Sequence, residues 1–222
     1  MNTALIRLLQ LASPTLPVGA YTYSQALEWA VETGVVNNEF SAMAWIGDCL
    51  EFGAARFEAV YLAHMLAAWA RKDLPQLAEL DADFIASRES AELRAETLQM
   101  GHSMARLLQD IGGVQLQKLD LFPEPSFPLA WSCAAAGWAV PAEDALAAYL
   151  WSWLENQVMA AIKSVPLGQT AGQRLLLELG GRLSLLAKDA LQRPLELAHN
   201  YLPAFSIASG CHETQYTRLF RS

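Results

Sequence analysis

Ala142-Glu-Asp-Ala-Leu-Ala-Ala-Tyr-Leu-Trp-Ser-Trp-Leu-Glu-Asn-Gln-Val-Met-Ala-Ala-Ile-Lys-Ser-Val165 is the stretch that decides the fold class. Neither glycine nor proline interrupts it, and its apolar residues recur round the whole circumference of a 3.6-residue helix. A helix that is apolar almost all round belongs inside a bundle, so this one is expected at the centre. Pro141 suits its first turn at N1, and Glu143 and Asp144 favour the positive end of the helix dipole. Lys163 falls in the last turn, on one face with Ser152, Asn156 and Met159. The tight exit Pro166-Leu-Gly-Gln169 would hold its ammonium at a fixed point of the surface.

Other helical periods lie on both sides. C-terminal to it, residues 170–191 read as helix interrupted at Gly180-Gly181, and residues 194–207 as a last helix. On the N-terminal side, helices are expected over residues 4–11, 39–71, 76–87, 90–108 and 129–139, with Gly47 and Gly53 weakening the long one. Gly112-Gly113 and the proline-rich loop at residues 122–128 are breaks. Pro14 and Pro17 predict an extended segment over residues 13–20. A capping box of Thr22 with Gln25 then starts a helix whose stripe is Leu27, Ala30 and Val31, ending near Gly34. The expectation is an all-α, single-domain compact bundle of about eight to ten helices over residues 1–222, with an extended Pro-rich N-terminal segment.

Composition agrees. The chain is 53% hydrophobic and 17% charged, too apolar for disorder. A net charge of −8 and dispersed basic residues argue against nucleic acid and against an anionic membrane surface. Cys49, Cys133 and Cys211 form no C-x-x-C and suit a reducing compartment. With no signal peptide pattern, a cytoplasmic protein is expected.

Catalytic signatures fail in turn. No Gly-Lys dipeptide and no pair of glycines two apart exist, so neither phosphate-binding fingerprint is present. Gly101-His-Ser-Met-Ala105 has the form of a nucleophile elbow but follows a helix rather than a strand. His212-Glu-Thr-Gln-Tyr216 begins like a zinc-protease helix, yet Tyr216 replaces the second histidine. No catalytic residue, metal ligand set or cofactor is expected. Trp45 and Trp69 read as core. Arg88 and Glu92 are spaced as an i,i+4 pair, and Glu28 as a solvated acid on an amphipathic helix. The tail, residues 209–222, mixes Tyr216, Leu219 and Phe220 with Arg218 and Arg221, the composition of an interface anchor that orders on a partner.

Three segments together resemble the UreF family of urease accessory proteins: Ser13-Pro-Thr-Leu-Pro-Val-Gly-Ala-Tyr-Thr-Tyr-Ser-Gln-Ala-Leu-Glu28, Lys163-Ser-Val-Pro-Leu-Gly-Gln169, and His212-Glu-Thr-Gln-Tyr-Thr-Arg-Leu-Phe-Arg-Ser222. The charged residues from Arg88 to Glu96 also fit. Ala26 departs from the pattern, which usually has glycine there, and an added methyl is expected to alter a close helix contact.

The resemblance implies an all-α, non-catalytic scaffold that dimerises. It implies binding to UreD (UreH in some organisms), recruitment of the GTPase UreG, and docking on apo-urease for GTP-dependent nickel insertion. It makes Glu28, Lys163 and Gln169 candidates for coupling to UreG. Tyr21, His212, Glu213, Tyr216, Arg218, Leu219, Phe220 and Arg221 become candidates for binding UreD/UreH. Two rivals are kept: an all-α enzyme using facing polar residues such as Asn156 with Glu89, and a nickel carrier using Cys211 and His212.

Overall fold

The computed structural model describes residues 3–112 and 116–222, and within them the chain is helical with no strand. Helix α1 covers Thr3–Leu11 and α2 covers Leu27–Glu32. Helix α3, Glu39–Asp48, runs through a π-helical stretch, Cys49–Glu58, into α4, Ala59–Arg71. Then follow α5 (Leu74–Ala86), α6 (Ala91–Ile111), α7 (Phe127–Gly137) and α8 (Ala142–Ser164). Helices α9 (Gln169–Gly180), α10 (Leu183–Gln192) and α11 (Pro203–His212) complete the bundle.

The uninterrupted apolar stretch from Ala142 is α8, and it is central. Its Leu146, Leu150, Leu154 and Val158 are fully buried, and it packs on α1, α2, α4, α9 and α10. Trp131 of α7 and Leu62 and Met65 of α4 complete the same core. Trp69 is buried too, its indole N–H donating to Ser132 Oγ at 2.9 Å.

Local chemistry moved several expected boundaries. Residues 13–19 are successive turns rather than extended chain: the Leu16 amide donates to Ser13 O at 3.0 Å and the Val18 amide to Leu16 O at 2.8 Å. Proline's fixed φ suits a turn as well as an extended segment, and here the turn wins. The Thr22–Gln25 box does not form. Thr22 ends a 3₁₀ turn, Gln25 and Ala26 both have positive φ, and α2 starts after Ala26. Pro141 is the N-cap of α8 rather than N1. The last helix sits further on than expected, because Pro203 at its first turn, rather than Pro194, begins it. Residues 195–197 make only a 3₁₀ turn. The expected break at Gly112 is present, with φ 79° ending α6, while Gly113 lies outside the described residues.

Candidate functional site

Helix α6 carries Glu92, Glu96 and Gln99 at spacings of four and three, so they form one stripe. That stripe faces α2 and the C-terminal tail. At the end of α11, His212 is completely buried between two carboxylates. Its Nδ1 lies 2.6 Å from Glu92 Oε2 and its Nε2 3.3 Å from Glu28 Oε2. The tail then runs back along the same surface. Arg218 donates to the second oxygen of Glu92 at 2.6 Å. The backbone amides of Leu219 and Phe220 both donate to Glu28, at 2.6 and 3.0 Å.

Beyond these contacts the tail is stitched to the segment before α2. The Arg221 amide donates to Thr22 O at 2.8 Å. Ser222 O accepts from the Ser24 amide and hydroxyl at 2.9 and 2.6 Å, and Ser222 Oγ donates to Glu96 at 2.7 Å. Glu213 accepts the Ala91 amide at 2.7 Å, supplying an acidic partner at the positive end of α6. Every carboxylate under the tail is therefore answered by a donor, which is what burial of such groups demands.

A second polar layer lies deeper. Arg88 pairs with Glu58 of the π-helical stretch at 2.9 Å, and Tyr149 of α8 donates to the other Glu58 oxygen at 2.7 Å. Burial pulls the Arg88 guanidinium down, but Glu58, Glu89 and Glu96 outweigh it and hold it up. Burial pushes the Tyr149 phenol well above its ordinary value, and Glu58 adds to that. Glu96 is pushed up to about 7 by burial, against the hydrogen bonds of Gln25 and Ser222 and the charge of Arg88. Gln25 links the layers, donating to Glu96 at 2.7 Å and accepting the Trp153 indole N–H at 2.7 Å. The cavity against this layer, lined by Arg88, Glu96, Tyr149, Trp131 and Asn156, measures about 80 Å³. Ligand pockets are several-fold larger, so it is a poor fit for a small-molecule substrate.

The expected site residues divide in two. Glu28 is not the solvated acid expected: it is 7% exposed, because α2 is short and the tail covers its polar side. His212, Glu213, Arg218, Phe220 and Arg221 all join the tail contacts, so the tail is folded on its own bundle. Tyr216 is fully exposed and Leu219 is 72% exposed. Lys163 is exposed, with Nζ 5.7 Å from the centre of the Phe220 ring, a cation–π contact joining α8 to the tail. Gln169 is exposed at the start of α9. Tyr21 stands apart from the tail set. Burial first, then the charge and hydrogen bond of Glu155, push its phenol up to about 12.

Arg88 and Glu92 do not pair, because Arg88 precedes α6 and turns to Glu58 while Glu92 turns to the tail. Asn156 donates to Tyr23 O and Glu89 accepts from Asn200, so that facing pair does not form either. Ser103 lies within α6, without the strained turn a nucleophile elbow needs. Burial pushes the Cys49 and Cys133 thiols up. Glu92, Glu96, Ser24 and Gln25 belong to the site, but no motif in the sequence marks them as functional residues. The 92–96–99 stripe was the available signal, an acidic and amide line on a helix with no matching basic line in its own sequence.

Such a bundle, whose organised polar site is spent on holding its own tail with two aromatic and aliphatic side chains turned outward, has the character of a protein-binding scaffold. Comparison with known proteins gives the family. The UreF family model matches residues 36–180. The chain is 58% identical to the urease accessory protein UreF of Azoarcus sp. (strain BH72), covering 98% of this chain and 95% of that protein. It is 55% identical to the UreF of Dechloromonas aromatica (strain RCB), over 98% and 97% of the two chains. Identity to the UreF of Methylobacillus flagellatus is 48%, over 100% and 99%. The chain belongs to the UreF family, and it is a urease accessory protein rather than a catalyst.

Proposed function

We propose that the chain is a scaffold for urease maturation that works through two neighbouring surfaces. The exposed face of the tail, Tyr216 and Leu219 with Arg218 and Arg221 beside them, docks UreD/UreH. Lys163 and Gln169, at the adjoining ends of α8 and α9, couple the scaffold to the GTPase UreG. The chain dimerises, the GTP chemistry belongs to UreG, and the assembly delivers nickel to apo-urease. One observation carries this reading: a tail anchored on both sides of its exposed stretch, by His212 and by the amides of Leu219 and Phe220, while the Tyr216 and Leu219 side chains remain in solvent. Large apolar side chains displayed in water from an anchored segment are what an interface uses as anchors, since less ordering remains to be done on binding.

Removing everything after Ser209 is a blunt test, because it takes away the buried His212 and Phe220 together with the exposed residues and uncovers the bundle surface beneath them. The double substitution Tyr216→Ala with Leu219→Ala removes only two largely exposed side chains. It is expected to leave the melting temperature unchanged and to cut capture of UreD in a pull-down at least tenfold. Undiminished capture would remove the tail from the docking surface.

A further inference from the structure

We infer that Glu28 is a positioning residue that locks the register of the tail, so that any influence it has on partners passes through the tail and not through direct contact. This rests on the tail being the docking face, as proposed above. A carboxylate this deeply buried offers little surface to a second protein, and its oxygens are already taken. One oxygen accepts the Leu219 amide; the other accepts the Phe220 amide and faces His212 Nε2. Two consecutive amides converging on one carboxylate is how backbone nests hold an anion.

The register matters because the side chains alternate. Leu219 points out, Phe220 in, Arg221 out and Ser222 in. With a two-residue period, a slip of one position would bury Leu219 and expel Phe220 from beneath Lys163. Two side chains choose the register: Phe220, buried beneath Lys163, and Ser222, whose Oγ donates to Glu96 at 2.7 Å. Arg218 reaches Glu92 through a long flexible side chain, and the bonds to Thr22 and Ser24 use backbone groups that every residue has. Backbone amides do not choose a position either, but the pair on Glu28 locks the one that Phe220 and Ser222 select, with Glu92 and His212 holding that carboxylate in place.

The test is amide hydrogen exchange by NMR on the whole chain, with UreD capture measured in parallel. In Glu28→Ala, the Leu219 and Phe220 amides are expected to lose protection at least tenfold while Leu150 and Leu154 keep theirs, and UreD capture to fall as far as in the Tyr216/Leu219 double variant. Glu28→Gln keeps one carbonyl acceptor and is expected to fall between wild type and Glu28→Ala in both readouts. Should Glu28→Ala also free Leu150 and Leu154, the Gln variant decides by the same measurements. Wild-type exchange at Leu219 and Phe220 would overturn the inference, as would freed amides with full UreD capture while the double variant fails to bind. If the double variant binds normally, the docking reading fails instead, and exchange alone decides whether Glu28 holds the register.

Discussion

Ala26 stands at φ 65° and is 1% exposed, against Cys49, Leu93, Phe205 and Ala208. The glycine usual there in the family pattern suggests a small-residue helix contact. The structure assigns it to backbone conformation, since the left-handed region is where an L-residue pays and glycine does not. Replacing Ala26 by glycine sets relief of roughly 1–2 kcal/mol of backbone strain against about 0.4–1 kcal/mol of unfolded-chain entropy and about 0.8 kcal/mol for the lost methyl. Ala26→Gly is therefore expected within about 1 kcal/mol of wild type in urea unfolding. Ala26→Val, β-branched at positive φ and overfilling a packed site, is expected to lose at least about 2 kcal/mol. Equal stability of the two variants would contradict this account.

At the scale of elements, α6 is the backbone of the site. It presents its acidic stripe to the tail and meets α7 on another side, where Gly101 lies against the Pro125–Ser126 backbone so closely that a Cβ would collide with the Pro125 carbonyl oxygen. Helix propensity alone would make Gly101→Ala stabilising by roughly 1 kcal/mol. The collision is with backbone, which cannot step aside, so the expected result has the opposite sign: a loss of about 2–3 kcal/mol. At roughly 2–4 °C per kcal/mol for a chain of this size, the melting temperature should fall by at least about 4 °C. A rise in melting temperature would show that the crossing can relax. The glycine was legible in the sequence, but its neighbour was not. The same holds for Gly47 and Gly53. They marked the rod from α3 to α4 as weak, yet the helix continues there through a π-helical stretch, and Gly53 admits Leu202 at 3.1 Å from where a Cβ would stand.

For the whole molecule, one buried carboxylate under the tail, Glu96, ties stability to pH. Glu96 is held up at about 7 in the folded chain against an ordinary 4.5, chiefly by burial. Between those values the folded state keeps a proton that the unfolded state releases. The contribution is thus fully present below about pH 4.5 and lost as pH rises through about 7. The loss by about pH 8 is on the order of 3 kcal/mol. Glu96→Gln, neutral at every pH and still able to meet Gln25 and Ser222, should flatten the fall in unfolding free energy between about pH 5 and pH 8. Parallel pH profiles for variant and wild type would exclude Glu96 as the source.

What the sequence by itself determined is the part governed by local period and composition. The helical class, the central place of α8 and the helix breaks at Gly112 and Gly180-Gly181 follow from residues close together in the chain, and the family from three short segments each read locally. Tertiary structure alone decided where the charges go. Glu28 and His212 are 184 positions apart, and Glu28 and Phe220 are 192 apart. Pairings across such distances leave no period in the sequence. Glu28 looked like a solvated acid, and Glu92 like the partner of Arg88, because helix geometry predicts only near neighbours. Burying a carboxylate is costly unless donors meet it, and the folded bundle brings those donors from the far end of the chain.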